Sequence, residues 1–342
     1  MKKILIVGPL FYGYSKSVAR AFEKHGFMVK IFDEWTEGAV DNFREKIIYN
    51  FSKDKTAFFN KKYEQFNKKI KKSYAAFKPD IVFIIRGAIL TEETLLFMKS
   101  SRLVLWMMDS VFTVDNTLRN IALYDHVFLF EKEDIRPLKE QYNIEGHFLP
   151  LALDESVYFP IPSDEKPIDI LFVGNLYEKR VALFNKIIER FPGVNFKIYG
   201  IYFSKLRNLK RYLFRKDKKY YTNSTIAPSV LNELYSKTKI CLNIHHSQSV
   251  YGVNQRFFEV CGAGTLQVCD RHGFITDNFK NNEVVIYDTD EELFEQIRDI
   301  LDNYDRYLDK IDMAYEQVTS QHTFDKRVKY ILETINTDSH EQ

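Results

Sequence analysis

The sequence predicts an α/β protein built from two doubly wound domains, each around a parallel sheet. Three observations carry this. Short continuous apolar runs alternate with amphipathic helical stretches, the pattern of parallel strands covered on both faces. The alternation halts at a proline-marked connection near residue 150 and then restarts. The chain is 342 residues long, more than one core usually serves, since single cores stop growing near about 250–300 residues.

In chain order, Lys3-Ile-Leu-Ile-Val7 is the first buried strand. Its apolar run is too short for a signal peptide and leads directly into Gly8-Pro9. Ser15–His25 is an amphipathic helix stopped by Gly26, and Phe27–Phe32 is a strand ending at Asp33. Asp80–Ile85, Leu103–Met107 and His126–Phe130 are further strands, with a helix over Thr91–Ser100. Gly146 to Pro162 is the connection. Ile168–Gly174 opens the second series, followed by a helix over Arg180–Phe191 and a strand over Phe196–Gly200. Ile240–Ile244, Thr265–Cys269 and Val284–Tyr287 are strands, and Glu291–Tyr304 and Asp325–Ile335 are helices. The expected division is a first domain over 1–152, a linker over 153–166 and a second domain over 167–322. A C-terminal helix and tail over 323–342 are expected to cross back to the first domain.

Between two of these strands lies Gly252-Val-Asn-Gln-Arg-Phe-Phe-Glu-Val-Cys-Gly-Ala-Gly264. Asn254 is placed to cap a short helix, and Gly262 and Gly264 end it. Arg256 and Glu259 share one face near the helix start. Free N–H groups, the helix dipole and an arginine together suit a phosphate, and a carboxylate beside them suits sugar hydroxyls. An ordinary surface ion pair is the competing reading.

Hydrophobic residues make up 45% and charged residues 28%, the balance of a globular protein, and the net charge is only +2. Bulk charge therefore gives no argument for nucleic acid, and no reader motif is present. No apolar run approaches the roughly 18 residues that suggest a membrane span. Cys241, Cys261 and Cys269 have no metal-ligand spacing and read as buried thiols of a reducing cytoplasm. Segments 41–73 and 205–219 are rich in lysine, arginine and aromatics. They suggest peripheral contact with the inner face of a membrane, or helices packed on their own domain with solvated lysines.

Candidate chemistry collects where strands end. Asp109, just beyond the strand Leu103–Met107, suits a general base or a cap of the next segment. Gly174-Asn175, with Arg180 after them, suit a pyrophosphate contact, with a plain helix start as the alternative. Phe11 to Ser15, including Tyr12, Gly13 and Tyr14, is a loop able to line an acceptor site, with Arg86 on a neighbouring loop. It lacks the dinucleotide G-x-G-x-x-G spacing. His245 and His246 are adjacent, point apart on extended chain and have no carboxylate at ligand spacing, so no metal is expected.

Several segments together resemble the GT-B glycosyltransferases, in the group 1-like branch that includes the CgeB-type spore-maturation proteins. They are Leu105-Trp-Met-Met-Asp109, Phe148-Leu-Pro-Leu-Ala-Leu-Asp154 with Tyr158-Phe-Pro160, Asp169-Ile-Leu-Phe-Val-Gly-Asn175 with Arg180, and Lys239-Ile-Cys-Leu-Asn-Ile244. Asn254 to Gly264 and His322-Thr-Phe-Asp-Lys-Arg327 complete the set. The resemblance implies two Rossmann-like domains facing across a cleft and transfer from a nucleotide-diphosphate sugar, UDP-linked by preference. The acceptor would be a cell-surface glycan, a glycolipid or a protein. Glu259 matches the family glutamate that holds the ribose; Arg256 and Arg180 would face the pyrophosphate. Asn254, Gly174, Asn175, Asn243 and His245 complete the expected donor side, Asp109 is the expected catalytic group, and neither metal nor cofactor is implied. One departure is plain. Many group 1 enzymes carry another glutamate eight positions before the one matched by Glu259, and here that position is Tyr251. Asp109 is the first candidate to replace it, and retention is favoured over inversion. The competing readings are a nucleotide-sugar epimerase and a non-catalytic sugar-nucleotide-binding coat protein.

Overall fold

The computed structural model describes residues 1–10, 13–34, 55–163, 165–201, 219–245 and 249–337. Tyr12, His246, residues 41–54 and residues 205–218 fall outside the described residues. The first elements are β1 (Lys3–Gly8), α1 (Tyr14–Lys24), β2 (Met28–Asp33), α2 (Lys55–Phe77), β3 (Ile81–Ile85), α3 (Glu92–Phe97) and β4 (Arg102–Met107). Next come α4 (Asp115–Arg119), β5 (His126–Leu129), α5 (Ile135–Tyr142), β6 (Gly146–Phe148), β7 (Ile168–Val173), α6 (Glu178–Arg190), β8 (Phe196–Tyr199) and β9 (Tyr221–Thr222). The chain then runs through α7 (Pro228–Ser236), β10 (Thr238–Asn243), α8 (Gln255–Gly262), β11 (Leu266–Asp270), α9 (Gly273–Asn278) and β12 (Val285–Tyr287). It closes with α10 (Asp290–Asp302), α11 (Leu308–Gln321) and α12 (Phe324–Thr337).

The chain forms two compact units. The first holds Met1–Leu151, Gln248–Gly252 and Phe324–Gln342; the second holds Ala152–Ser247 and Val253–Thr323. Residues 153–166, read above as a linker, pack within the second unit: Leu153, Asp154 and Tyr158 are buried, and Phe159 exchanges backbone hydrogen bonds with the Asn232 side chain. Residues 248–252 go with the first unit, a placement the sequence reading did not include.

The first unit is built on a parallel sheet in the order β2-β1-β3-β4-β5-β6. Alternate strand residues serve opposite faces. Leu5, Val7, Val82, Ile84, Leu103, Leu105, Met107 and Leu129 join Phe66, Ile70 and Tyr74 of α2 in one core. On the other face Phe22 of α1 packs edge-on to Phe83, Phe83 to Trp106, and Trp106 to Phe324 of α12. The spacing of Phe66, Ile70 and Tyr74 at i, i+4 and i+8 turns the apolar stripe of α2 inward. Exposed Lys61, Lys68, Lys69 and Lys72 remain on its outer surface. In its described part the basic segment is therefore a helix of its own core, and its apolar face is already used.

The second unit repeats the plan in the order β12-β11-β10-β7-β8-β9, again all parallel. Ile170, Phe172, Ile198, Ile240, Leu242, Leu266 and Val268 pack on Phe184 and Ile187 of α6 and on Leu293, Ile297 and Ile300 of α10. The expected class, α/β with two doubly wound Rossmann-like units, is what the chain adopts. The helix α11 was not anticipated; it buries only Ile311, Ala314 and Val318 among mostly polar neighbours. No helix among the described residues is long and apolar enough to cross a membrane.

Candidate functional site

In open parallel sheets, ligands bind beyond the carboxyl ends of the strands where the strand order reverses. In the second unit that point lies between β7 and β10, because β7 has β8 on one side and β10 on the other. Gly174 and Asn175 leave β7 there, and Ile244 and His245 leave β10. Gly174 approaches its neighbours closely: a Cβ on Gly200 would lie 2.0 Å from the Gly174 carbonyl oxygen, so the end of β8 requires glycine. Arg180, in the first turn of α6, reaches across the point. It donates to the Asn175 carbonyl at 2.7 Å and to the Ile244 carbonyl, with its guanidinium over the rings of Phe172 and Tyr177. Burial lowers its pKa. The arginine is therefore fixed by two carbonyls and leaves further N–H groups in a desolvated setting, where an anion is held strongly.

The start of α8 is built as the sequence suggests. Asn254 Oδ1 accepts from the Phe257 N–H at 3.2 Å, and its Nδ2 donates to Asn243 Oδ1 at 2.7 Å. Asn243 in turn donates to Gln267 Oε1 at 2.9 Å. Both asparagines thus serve the scaffold, fastening the helix start to β10 and β11. Gly264 takes φ of +65°, and a Cβ on Gly262 would lie 2.2 Å from Leu153 Cδ1. Arg256 and Glu259 form an ion pair at 2.6 Å, with the carboxylate nearly inaccessible. Tyr158 and Tyr235 complete a buried network around them. Burial pushes the Glu259 carboxyl up, and Arg256 opposes the shift. This pair is an internal one rather than a solvated surface bridge.

His245 is brought beside two groups that the sequence reading did not connect. Parallel pairing sets Asn243 against Cys269, so His245 emerges next to Asp270 at the end of β11. Asp270 Oδ1 accepts from the His245 backbone N–H at 3.0 Å and lies 2.7 Å from its Nδ1. Asp270 Oδ2 lies 3.5 Å from His272 Nε2, and the two imidazole centroids are 4.1 Å apart. Burial alone would raise Asp270, but hydrogen bonds from both histidines outweigh it and hold its carboxyl well below the usual range. Burial lowers the pKa of His245, with Asp270 opposing. His245 Nε2 and His272 Nδ1 are buried and have no partner among the described residues. The signal available in the sequence was a histidine and an aspartate at the ends of two strands; their adjacency needed the register.

In the first unit, Arg86 Nε pairs with Asp109 Oδ2 at 3.2 Å, and both are about half exposed. Arg86 sits at φ of +70°, just past β3, its carbonyl held by Thr117 Oγ1 at 2.6 Å. Asp109 does not cap the following segment: the Val111 N–H is taken by Asp134 at 2.8 Å. Glu34, beyond β2, is a neighbour missed by the sequence reading. Burial raises its pKa to about 7, against the pull of Arg86 and the Ile89 N–H. Gly13 caps α1 at φ of +82°, and Tyr14 is the first residue of that helix. Tyr251, where a carboxylate was sought, meets one in Glu131. The Glu131 carboxylate accepts from the backbone N–H groups of Val250, Tyr251 and Gly252 at 2.9, 3.0 and 3.2 Å. The Tyr251 ring packs edge-on to Phe148 and under Lys132. Within this unit the carboxylate beside Tyr251 is that of Glu131.

Residues 179–333 match a family model described as glycosyl transferase-like. No curated protein matches the chain. Among solved structures, sucrose-phosphate synthase from Thermosynechococcus elongatus aligns at TM-score 0.70 with 11% identity over 100% of both chains. HepE of Anabaena in complex with UDP-glucose aligns at TM-score 0.65 with 10% identity, over 98% of this chain and 100% of that one. A Listeria monocytogenes protein assigned as a UDP-N-acetylglucosamine 2-epimerase aligns at TM-score 0.60 with 10% identity, over 100% and 98%. These likenesses give the fold, which is that of the GT-B glycosyltransferases; at such identities the substrates stay with the relatives.

Proposed function

We propose that the chain is a glycosyltransferase that moves a sugar from a UDP-sugar to a hydroxyl of a glycan, glycolipid or protein. The observation that carries the reading is Arg180. It is fixed between the ends of β7 and β10 at the strand-order reversal of the second unit, inside the segment that matches the glycosyl transferase-like model. The UDP-glucose complex of HepE, a protein of similar fold, favours the same ligand class.

In this reading the donor's diphosphate lies against Arg180 and the backbone of Gly174 and Asn175. Cationic and N–H groups fixed before reaction stabilise the charge that develops as the bond to the diphosphate breaks. The Arg256–Glu259 pair serves the nucleoside side, with the arginine holding the carboxylate in place to accept from ribose hydroxyls. Arg86 and Asp109 serve the acceptor. Transfer forms a bond between the acceptor oxygen and the anomeric carbon, breaks the one to the diphosphate and releases UDP. Retention is the proposed outcome, resting on the resemblance to the group 1-like branch. The departing diphosphate oxygen then takes the acceptor's proton while Asp109 orients the acceptor. An inverted product would make Asp109 the base.

The test is a panel of nucleotide sugars, read by thermal shift and by nucleoside diphosphate release with acceptor mixtures. The expected result is stabilisation by at least one donor, roughly 2.7 kcal/mol at a hundredfold excess over Kd, lost in Arg180→Ala. A panel that gives neither stabilisation nor release sinks the proposal. The likeness to the 2-epimerase fold favours one alternative. It predicts a changed sugar with donor alone, which product analysis without acceptor would show.

A further inference from the structure

We propose that His245, Asp270 and His272 form a binding site for a divalent transition metal of the zinc class. The proposal stands apart from the glycosyltransferase reading and departs from the expectation of no metal. Each ligand comes from a separate piece of the second unit. His245 follows β10, Asp270 ends β11, and His272 is the residue before α9. One ring nitrogen of each histidine and one carboxylate oxygen fall within 4.8 Å of one another. Around tetrahedral zinc, with bonds of about 2.0–2.1 Å, ligand atoms stand roughly 3.3 Å apart. The carboxylate already reaches both rings, Oδ1 lying 2.7 Å from His245 Nδ1 and Oδ2 lying 3.5 Å from His272 Nε2. The set needs to close by about 1.5 Å at most along its longest edge.

The ligand types select the metal. Two imidazoles and one carboxylate suit zinc, cobalt or iron; magnesium and calcium prefer oxygen throughout. The site is also built rather than incidental. The His245 side chain is inaccessible to solvent, and its orientation is fixed by the same carboxylate that holds its own backbone N–H. Three protein ligands leave one position open. Arg180, bonded to the Ile244 carbonyl next door, adds positive charge, so an anionic oxygen is the fitting fourth ligand.

The test uses the full chain after treatment with a chelator. Zinc is titrated by calorimetry and cobalt by visible absorption. The expected result is one equivalent of metal with tetrahedral cobalt bands. Asp270→Asn and His272→Gln should each weaken binding by at least about tenfold. His272→Cys, which keeps a ligand, should retain it, separating loss of a ligand from loss of fold. His25→Gln, at a histidine of the first unit, should change nothing. Absence of saturable binding by the unaltered protein would overturn the proposal, as would binding undiminished in both His272→Gln and Asp270→Asn.

Discussion

Replacing Glu131 by alanine should destabilise the first unit by about 3–5 kcal/mol. The carboxylate is 2% exposed and accepts from three consecutive backbone N–H groups, Val250, Tyr251 and Gly252. Ser249 Oγ adds a longer contact at 3.3 Å. A hydrogen bond to a charged group is worth about 1.5–3 kcal/mol, so three sum to about 4.5–9 kcal/mol, which overlaps the stated range at its lower end. Removing the carboxylate from water offsets several kcal/mol of that. Truncation removes the acceptor and leaves the N–H groups without one, which is why the net loss stays large. Glu131→Gln keeps one acceptor oxygen but turns an NH2 toward donors, and should cost about 1–3 kcal/mol. Trp106 is buried in the sheet of the first unit. Urea unfolding followed by tryptophan emission therefore reports on this unit. If the alanine variant unfolds within about 0.5 kcal/mol of the parent, as a neutral surface change would, the reasoning fails, because the three N–H groups must then be satisfied without Glu131.

Two further outcomes follow from the same kind of accounting. Asn254→Ala removes the cap of α8, about 1 kcal/mol, and leaves buried Asn243 Oδ1 without its donor, about 1–3 kcal/mol more. Its Tm should fall accordingly, and Asn254→Asp, which restores only the cap, should recover only part; full recovery would show that the Asn243 contact contributes nothing. Burial raises the folded pKa of Glu34 to about 7 from an ordinary value of 4.5. Between these values the native state holds a proton that the unfolded chain has released. Stability from this group is therefore present below about pH 4.5 and lost as the pH rises through 7, by at most about 3 kcal/mol. Denaturant unfolding of the parent at pH 5 and 7.5 should show that loss, and Glu34→Gln should reduce it. Equal pH dependence in the two proteins would contradict the assignment.

The strands were legible because a parallel sheet covered on both faces forces continuous apolar runs, as in Ile4–Val7 and Ile170–Val173. The α8 start was legible because its signals are local: Asn254 caps, Gly264 closes, and Arg256 meets Glu259 one turn on. What escaped is non-local. Glu131 finds its donors about 120 residues away, so no window of sequence contains both. His245 and Asp270 are 25 residues apart and meet only because β10 and β11 pair in one register. The sequence leaves a solvated Arg256–Glu259 pair open as the competing reading, since burial by Tyr158 and Tyr235 comes from two other segments.

The helix α12 has a consequence for how the protein comes into being. Phe324, Val328, Ile331 and Ile335 are buried, and Arg102 holds the Ile335 carbonyl, so the first sheet is complete only with the last helix. On the ribosome, that helix follows Leu151 by roughly 170 residues. At about 5–20 residues per second, the Trp106 side of the sheet waits on the order of 10–35 s for its cover from Phe324. A nascent chain in that interval presents a sticky sheet to its surroundings. The N-terminal 151 residues expressed alone would stay in that condition, which makes them a natural client for chaperones and a poor choice as a free-standing fragment.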